Sequence, residues 1–172
     1  MDVSNMAYVY WITGLSGAGK TSVGKLLNKK MKSKYPNTVF LDGDVLREVF
    51  GNDLGYTREE RLKCAMRYAR LCKMLQEQDQ NVICCTISMF DDIRSWNRKN
   101  IMSYREIYVR VSIEELTRRN QKGLYSSSIE NKEVAGLHVD IEEPKDPDII
   151  LDNEGTVSVS ELVDRVIEKF EI

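Results

Sequence analysis

The sequence predicts a three-layer α/β fold in which helices flank a parallel five-stranded sheet. Apolar, strand-like runs alternate along the chain with patterns of helical period, which is typical of a parallel sheet. The chain has 172 residues, of which 42% are hydrophobic and only 3 are prolines, enough apolar material for one substantial core. Residues 1–172 are therefore predicted to form a single domain.

The first strand and the first helix are the clearest elements. Residues 8–13 are β-branched and aromatic and predict a buried strand, while apolar residues at helical spacing predict a helix over 19–34. The later strands are predicted at 38–41, 81–87, 106–111 and 148–151. The later helices are predicted at 45–50, 58–78, 93–103, 113–120 and 158–170.

A glycine-rich loop joins the first strand to the first helix. Its sequence, Gly14-Leu15-Ser16-Gly17-Ala18-Gly19-Lys20-Thr21, fits the Walker A pattern G-x-x-x-x-G-K-[ST]. In such a loop, successive backbone N–H groups and the positive end of the helix face the phosphates of a nucleotide. Lys20 would reach the β- and γ-phosphates, and the Thr21 hydroxyl would bind Mg²⁺. We therefore expect a P-loop NTPase fold whose nucleotide-binding residues are Gly14, Ser16, Gly17, Ala18, Gly19, Lys20, Thr21 and Ser22.

Two carboxylates, Asp42 and Asp44, follow the second predicted strand. Ligands of open α/β sheets bind at the carboxyl edge, where this strand and the glycine-rich loop both end. One carboxylate could hold Mg²⁺ through water while the other accepts a proton from an attacking hydroxyl. Asp-Gly is also common in ordinary turns, so the two carboxylates indicate a catalytic site only in combination with the phosphate loop. The catalytic candidates are Lys20, Asp42 and Asp44, and the metal-binding candidates are Thr21, Asp42 and Asp44.

Composition narrows the partners of the chain. A formal net charge of −2 gives no general attraction to a nucleic acid polymer, so we expect a small-molecule partner. Residues 1–5 do not begin a secretion signal, and no apolar run approaches the ~18 residues of a membrane span, so a cytoplasmic protein without membrane contact is expected. The four cysteines are spaced unlike a metal site and are predicted to be reduced and buried. The single histidine, His138, leaves almost no material for a histidine-based catalytic triad or a zinc centre, and the sequence fits a polar loop residue and a ligand contact equally well.

The stretch from 121 to 147 has no clean periodicity and is rich in glycine, serine and proline. A long stretch of this kind inside a compact domain is usually functional. We therefore predict a mobile lid over the nucleotide.

Several short blocks together carry a family resemblance over residues 7–153. The blocks are 11–20, 41–44 with Arg47, 53–56, Arg61, 87–88 and 122–125. In order and spacing they resemble adenylyl-sulfate kinases, which use ATP to phosphorylate the ribose 3′-hydroxyl of adenylyl sulfate. Several blocks in register are much more specific than the phosphate loop alone.

The resemblance implies roles for individual residues. Asp44 would be the base and a metal-associated carboxylate, Arg47 and Arg61 would hold the acceptor nucleotide, and Tyr56 would stack on its base. Arg119 would serve the ATP side. The remaining acceptor-side residues implied by the matched positions are Cys64, Ile87, Ser88, Lys122 and Leu137. The expected cofactors are ATP and Mg²⁺, and we expect a homodimer.

The departures from the family pattern lie on the acceptor side. Val45 and Cys64 each replace an asparagine, and Gly51 replaces another. In the lid, Ala135 replaces a lysine, and Leu137 replaces the phenylalanine that closes over the adenine. Loss of one aromatic wall removes about 1 to 3 kcal/mol of base stacking. A smaller base, or one held differently, would fit such a site.

We therefore predict a kinase that transfers the γ-phosphate of ATP to the ribose 3′-hydroxyl of a nucleotide with a modified phosphate. Members of the family that serve capsule modification take cytidine diphosphoramidate, and this acceptor is narrowly favoured over adenylyl sulfate. Two other interpretations stay open: a GTPase-like switch, which would need an N-K-x-D block that the chain lacks, and a regulatory nucleotide-binding protein with a degenerate site.

Overall fold

The computed structural model describes residues 6–119 and 140–172. The strands are β1 (Val9–Thr13), β2 (Thr38–Asp42), β3 (Asn81–Cys85), β4 (Tyr104–Arg110) and β5 (Ile149–Asp152). The helices are α1 (Lys20–Lys34), α2 (Gly43–Val49), α3 (Arg58–Gln76), α4 (Asp91–Asn100), α5 (Ile113–Arg119) and α6 (Val159–Phe170). Every predicted strand and helix is present, and the ends within the described ranges agree to within three residues.

The five strands form one sheet in the order β2-β3-β1-β4-β5, and every neighbouring pair is parallel. All five carboxyl ends therefore lie at one edge. The phosphate loop follows β1, α2 follows β2 directly after Asp42, and residues 86–90 follow β3, which lies between those two strands. Three segments distant in sequence meet at this edge for that reason, as expected of ligand sites in open α/β sheets.

The hydrophobic core lies in two clusters, one on each face of the sheet. Along β1, Tyr10 and Ile12 belong to one cluster and Val9 and Trp11 to the other, because successive side chains of a strand point to opposite faces. Buried residues of α1, α5 and α6 complete the first cluster, and those of α3 and α4 complete the second. The predicted three-layer arrangement is confirmed.

The cysteines lie in or beside these clusters. All four are buried and free of disulfides, as predicted. Burial raises the pKa of the Cys85 thiol to about 12, so it stays protonated and unreactive at neutral pH. Across 6–119 and 140–172, no helix combines the length and the apolar character needed to cross a membrane.

Candidate active site

The phosphate loop is held in shape by close contact with the ends of β4 and β5. Gly14 and Gly19 have positive φ angles of 152° and 99°, which favour glycine. A Cβ at Gly14 would lie 2.4 Å from the carbonyl oxygen of Val109, and one at Gly19 would lie 2.7 Å from Nδ2 of Asn153. The Asn153 amide also donates a hydrogen bond of 2.8 Å to the carbonyl oxygen of Ala18. These glycines are therefore required both by the backbone conformation and by the space available.

Asn153 gives a direct test of this support. Replacing Asn153 by alanine leaves the buried Ala18 carbonyl without this donor, which costs about 1 to 3 kcal/mol. We expect a raised KM for ATP and a lower melting temperature, measured by steady-state kinetics and thermal unfolding. The control is Asn37→Ala, because the exposed Asn37 amide also donates to a backbone carbonyl, that of Asp79, but from the loop before β2 at the opposite edge. Equal KM values for ATP in the two variants would contradict the proposed role of Asn153.

Lys20 and Thr21 begin α1 at the mouth of the loop. The Lys20 ammonium donates a 2.6 Å hydrogen bond to the carbonyl oxygen of Leu15, so its side chain lies along the loop. The Thr21 hydroxyl donates a 2.7 Å hydrogen bond to Oδ2 of Asp42. The other carboxylate oxygen of Asp42 accepts from the backbone N–H of Asp44 at 3.0 Å and caps the N-terminus of α2. Thr21 and Asp42, two of the three metal-binding candidates, are therefore in direct contact. The third candidate, Asp44, lies in the first turn of α2.

A cavity of about 410 Å³ extends from the phosphate loop across the carboxyl edge of the sheet to α3. Most of the predicted site residues line it: Ser16, Gly17, Gly19, Lys20, Thr21, Ser22, Asp42, Asp44, Arg47, Arg61, Cys64, Ile87 and Ser88. Gly14 and Ala18 are buried in the backbone of the loop behind it. Lys122 and Leu137 lie outside the described residues, as does the part of the predicted lid from 121 to 139.

Two arginines, Arg47 on α2 and Arg61 on α3, form a positive wall of the cavity. The Arg47 guanidinium donates to the carbonyl oxygens of Leu54 and Gly55 at 2.9 and 3.1 Å. Arg61 donates to the carbonyl oxygen of Tyr56 at 2.7 Å. The Tyr56 ring is half-exposed and lies 4.5 Å from the Arg47 guanidinium carbon and 5.2 Å from that of Arg61. Tyr56 itself does not line the cavity, but it contacts Arg47 and Arg61, which do.

Arg119 contacts the phosphate loop from outside the cavity. Its guanidinium donates to the carbonyl oxygens of Gly17, at 3.4 Å, and Asn153, and to the Glu115 carboxylate at 2.7 Å. Hydrogen bonds from Arg118 and Arg119 lower the pKa of Glu115 to about 2. The structure thus places Arg119 in contact with the backbone of the phosphate loop.

Several lining residues were not predicted from the sequence. They are Tyr68, Thr86, Met89, Phe90, Asp140 and Ile141, together with Gly43, Ala65 and Cys85. Tyr68 follows Cys64 by one helical turn, so helical spacing could have identified it. Asp140 and Ile141 were assigned to the lid, and the adjacent Glu142 is anchored: its N–H donates to the Met89 carbonyl at 2.9 Å, and its carboxylate accepts from the Asp91 N–H at 2.8 Å.

The oxygen ligands at this edge suit Mg²⁺. Mg²⁺ is usually held by one or two protein side chains, with phosphate and water oxygens completing its octahedron. The Thr21 hydroxyl and the Asp42 carboxylate fit that requirement. Within 6–119 and 140–172, no group of three or more His, Cys, Asp or Glu side chains could hold a metal ion.

Comparison with known proteins identifies the family. The family model described as Adenylylsulphate kinase matches residues 6–152. The chain belongs to the adenylyl-sulfate kinase family. Like other members of that family, it is an ATP-dependent phosphotransferase, and the resemblance stated from its sequence blocks is confirmed.

Individual members of the adenylyl-sulfate kinase family match the chain over most of its length. The cytidine diphosphoramidate kinase of Campylobacter jejuni is 40% identical over 97% of this chain and 98% of its own. The probable adenylyl-sulfate kinase of Archaeoglobus fulgidus is 36% identical over 87% of this chain and 97% of its own. The APS kinase of Mycobacterium tuberculosis, solved in complex with AMPPNP and APS, superposes with a TM-score of 0.87 at 28% identity, covering 97% of this chain and 99% of that chain.

Proposed function

We propose that this chain transfers the γ-phosphate of ATP to the ribose 3′-hydroxyl of cytidine diphosphoramidate. The observation that carries the proposal is the single cavity that joins Lys20 and Thr21 of the phosphate loop to Asp44 and to the two arginines of the acceptor wall. Such a cavity can hold a donor and an acceptor in line, which phosphoryl transfer requires. The similarity to the Campylobacter jejuni cytidine diphosphoramidate kinase, which spans nearly the whole of both chains, supports the choice of acceptor.

The donor half of the site acts through charge. Backbone N–H groups of the phosphate loop and the Lys20 ammonium bind the phosphates of ATP, and Lys20 stabilises the negative charge that develops on the transferred group. Thr21 and Asp42 would hold Mg²⁺, which when bound neutralises phosphate charge. Asp42 also orients the backbone of the next turn through its bond to the Asp44 N–H.

The acceptor half supplies the base and the positioning contacts. Asp44 is exposed at the start of α2 and lines the cavity, where its carboxylate can accept the proton of the attacking hydroxyl. Arg47 and Arg61 bind the anionic part of the acceptor. Exclusion of water from this site would limit hydrolysis of ATP.

Two departures from the family pattern, Val45 and Cys64, line the cavity and support an acceptor other than adenylyl sulfate. An asparagine amide at position 64 could both donate to and accept from a nucleotide. The Cys64 thiol is a weak donor, and it donates to the Tyr68 hydroxyl at 2.9 Å. The polar contacts offered to the acceptor therefore differ from those of the family pattern.

Adenylyl sulfate is the second candidate acceptor. The close superposition with the Mycobacterium tuberculosis enzyme in its complex with AMPPNP and APS supports it. The positive wall formed by Arg47 and Arg61 suits the anionic part of either acceptor.

We also expect a homodimer and a cytoplasmic location.

The acceptors are distinguished by their specificity constants. With labelled ATP, we expect kcat/KM for cytidine diphosphoramidate to exceed that for adenylyl sulfate at least about tenfold, since ~1.4 kcal/mol of differential transition-state binding suffices. Leu137→Phe should shift the preference toward adenylyl sulfate without changing the KM for ATP. Efficient phosphorylation of adenylyl sulfate with no detectable use of cytidine nucleotides would instead assign the chain to sulfate activation.

A further inference from the structure

The peptide unit that joins Gly43 to Asp44 is hydrogen-bonded at both ends. Its carbonyl oxygen, on Gly43, accepts a 3.0 Å hydrogen bond from the Tyr68 hydroxyl. Its N–H, on Asp44, donates a 3.0 Å hydrogen bond to Oδ1 of Asp42. The backbone that carries the Asp44 side chain is thus held from the sheet on one side and from α3 on the other.

These two bonds belong to a longer series that crosses the cavity. Oδ2 of Asp42 accepts from the Thr21 hydroxyl at 2.7 Å, and the Tyr68 hydroxyl accepts from the Cys64 thiol at 2.9 Å. The series therefore connects the metal-binding end of the phosphate loop to the acceptor-side face of α3. Each member is buried or half-buried except Asp44, whose backbone takes part while its side chain is exposed.

Tyr68 is well suited to hold a backbone group in place. Its side chain is 3% exposed, and its ring stacks on that of Phe50 with a centroid distance of 6.2 Å and an interplanar angle of 19°. Burial, followed by the bond with Cys64, raises the pKa of the Tyr68 hydroxyl far above its usual range, so it keeps its proton and remains a donor. A rigid, protonated hydroxyl gives a defined direction to the Gly43 carbonyl.

The helix that carries Asp44 depends on such contacts. α2 spans Gly43–Val49, about two turns, and helices this short are not stable through their own hydrogen bonds. Bonds to Asp42 and Tyr68 therefore determine where its first turn lies. A displacement of about 1 Å at a reacting group can lower a rate about 100-fold.

We infer that Tyr68 is a positioning residue for phosphoryl transfer: it holds the Gly43–Asp44 peptide so that the Asp44 carboxylate faces the acceptor hydroxyl. This inference rests on the proposed function, in which Asp44 is the base. Tyr68 acts through Asp44 and needs no contact with the reacting atoms.

Tyr68→Phe tests the inference, because it removes the hydroxyl and keeps the ring packed on Phe50. We expect kcat to fall about fivefold, the kinetic effect of one hydrogen bond, with the KM for ATP unchanged. The control is Tyr104→Phe. Tyr104 is buried in the same apolar cluster, and its hydroxyl donates to Glu106 on β4 instead of to the site. This control should leave kcat within twofold of wild type.

A double-mutant cycle separates positioning from a merely structural effect. If Tyr68 acts through Asp44, Tyr68→Phe should slow the wild type but should not further slow Asp44→Asn, measured in single turnovers with labelled ATP. An equal slowing in both backgrounds, or an unchanged kcat in Tyr68→Phe, would overturn the inference and leave the proposed function standing. Near-normal activity of Asp44→Asn would instead overturn the assigned base, and the inference with it. Melting temperatures of all variants show whether each one is folded.

Discussion

Replacing Lys20 by alanine is expected to lower kcat by about 100-fold or more while the protein remains folded. The lysine charge is aimed at oxygens that become more negative in the transition state, and loss of one such donor costs about 100-fold to 1000-fold. The variant also loses the hydrogen bond from Lys20 to the Leu15 carbonyl, and such a bond is worth about 1 kcal/mol of stability. Steady-state turnover and thermal unfolding measure the two effects separately.

The matched control for this variant is Lys25→Ala. Lys25 lies on the same helix and is exposed, and it does not line the cavity. Its removal changes net charge by the same amount and should leave turnover near the wild-type value. Near-normal turnover of Lys20→Ala would reject the assigned role of the phosphate loop. If the wild-type protein binds ATP but phosphorylates no acceptor, the chain would instead be a regulatory nucleotide-binding protein with a degenerate site.

Asp44→Asn is expected to lower the rate of acceptor phosphorylation by about 100-fold or more, with ATP binding retained. The substitution keeps the size of the side chain and removes its ability to accept a proton, and general base catalysis contributes typically 10²–10⁴-fold. The backbone N–H of residue 44 can still donate to Asp42, so α2 keeps its cap. Single-turnover phosphorylation and equilibrium binding of ATP are the measurements.

Glu48→Gln is the matched control, because Glu48 is an exposed carboxylate on the same helix, one turn further on, and does not line the cavity. It should phosphorylate the acceptor at nearly the wild-type rate. If Asp44→Asn keeps more than about a tenth of wild-type activity, the base is another group. Asp42 would then be examined first, since it is the neighbouring carboxylate and contacts Thr21.

Much of the fold was predictable because its signals are local. Within the run at 8–13, every residue of β1 (Val9–Thr13) is buried, and the helical spacing over 19–34 corresponds to α1 at Lys20–Lys34. The largest differences lie at the ends of elements, as at α4, which begins at Asp91 and ends at Asn100 instead of spanning 93–103. Hydrophobic periodicity shows where side chains are buried, whereas the end of a helix depends on capping groups.

The candidate site was only partly predictable. The phosphate loop could be recognised because its chemistry lies in eight contiguous residues. Asn153 and Tyr68 were missed, since each acts through a bond to a backbone carbonyl far away in the sequence, that of Ala18 and that of Gly43. Helical spacing from Cys64 could have placed Tyr68 at the cavity, but no residue pattern along the chain signals which backbone carbonyl such a side chain contacts.

The sequence alone therefore determined the alternating elements, the phosphate loop between the first strand and helix, and the two carboxylates after the second strand. Only the tertiary structure decided that β3 lies between β1 and β2, which brings residues 86–90 between the phosphate loop and the start of α2. It also decided that Asp42 contacts Thr21 and that α3 places Tyr68 against Gly43. The physical reason is that conformational preference and periodicity depend on neighbours in the chain, whereas strand order and side-chain contacts depend on how whole elements pack.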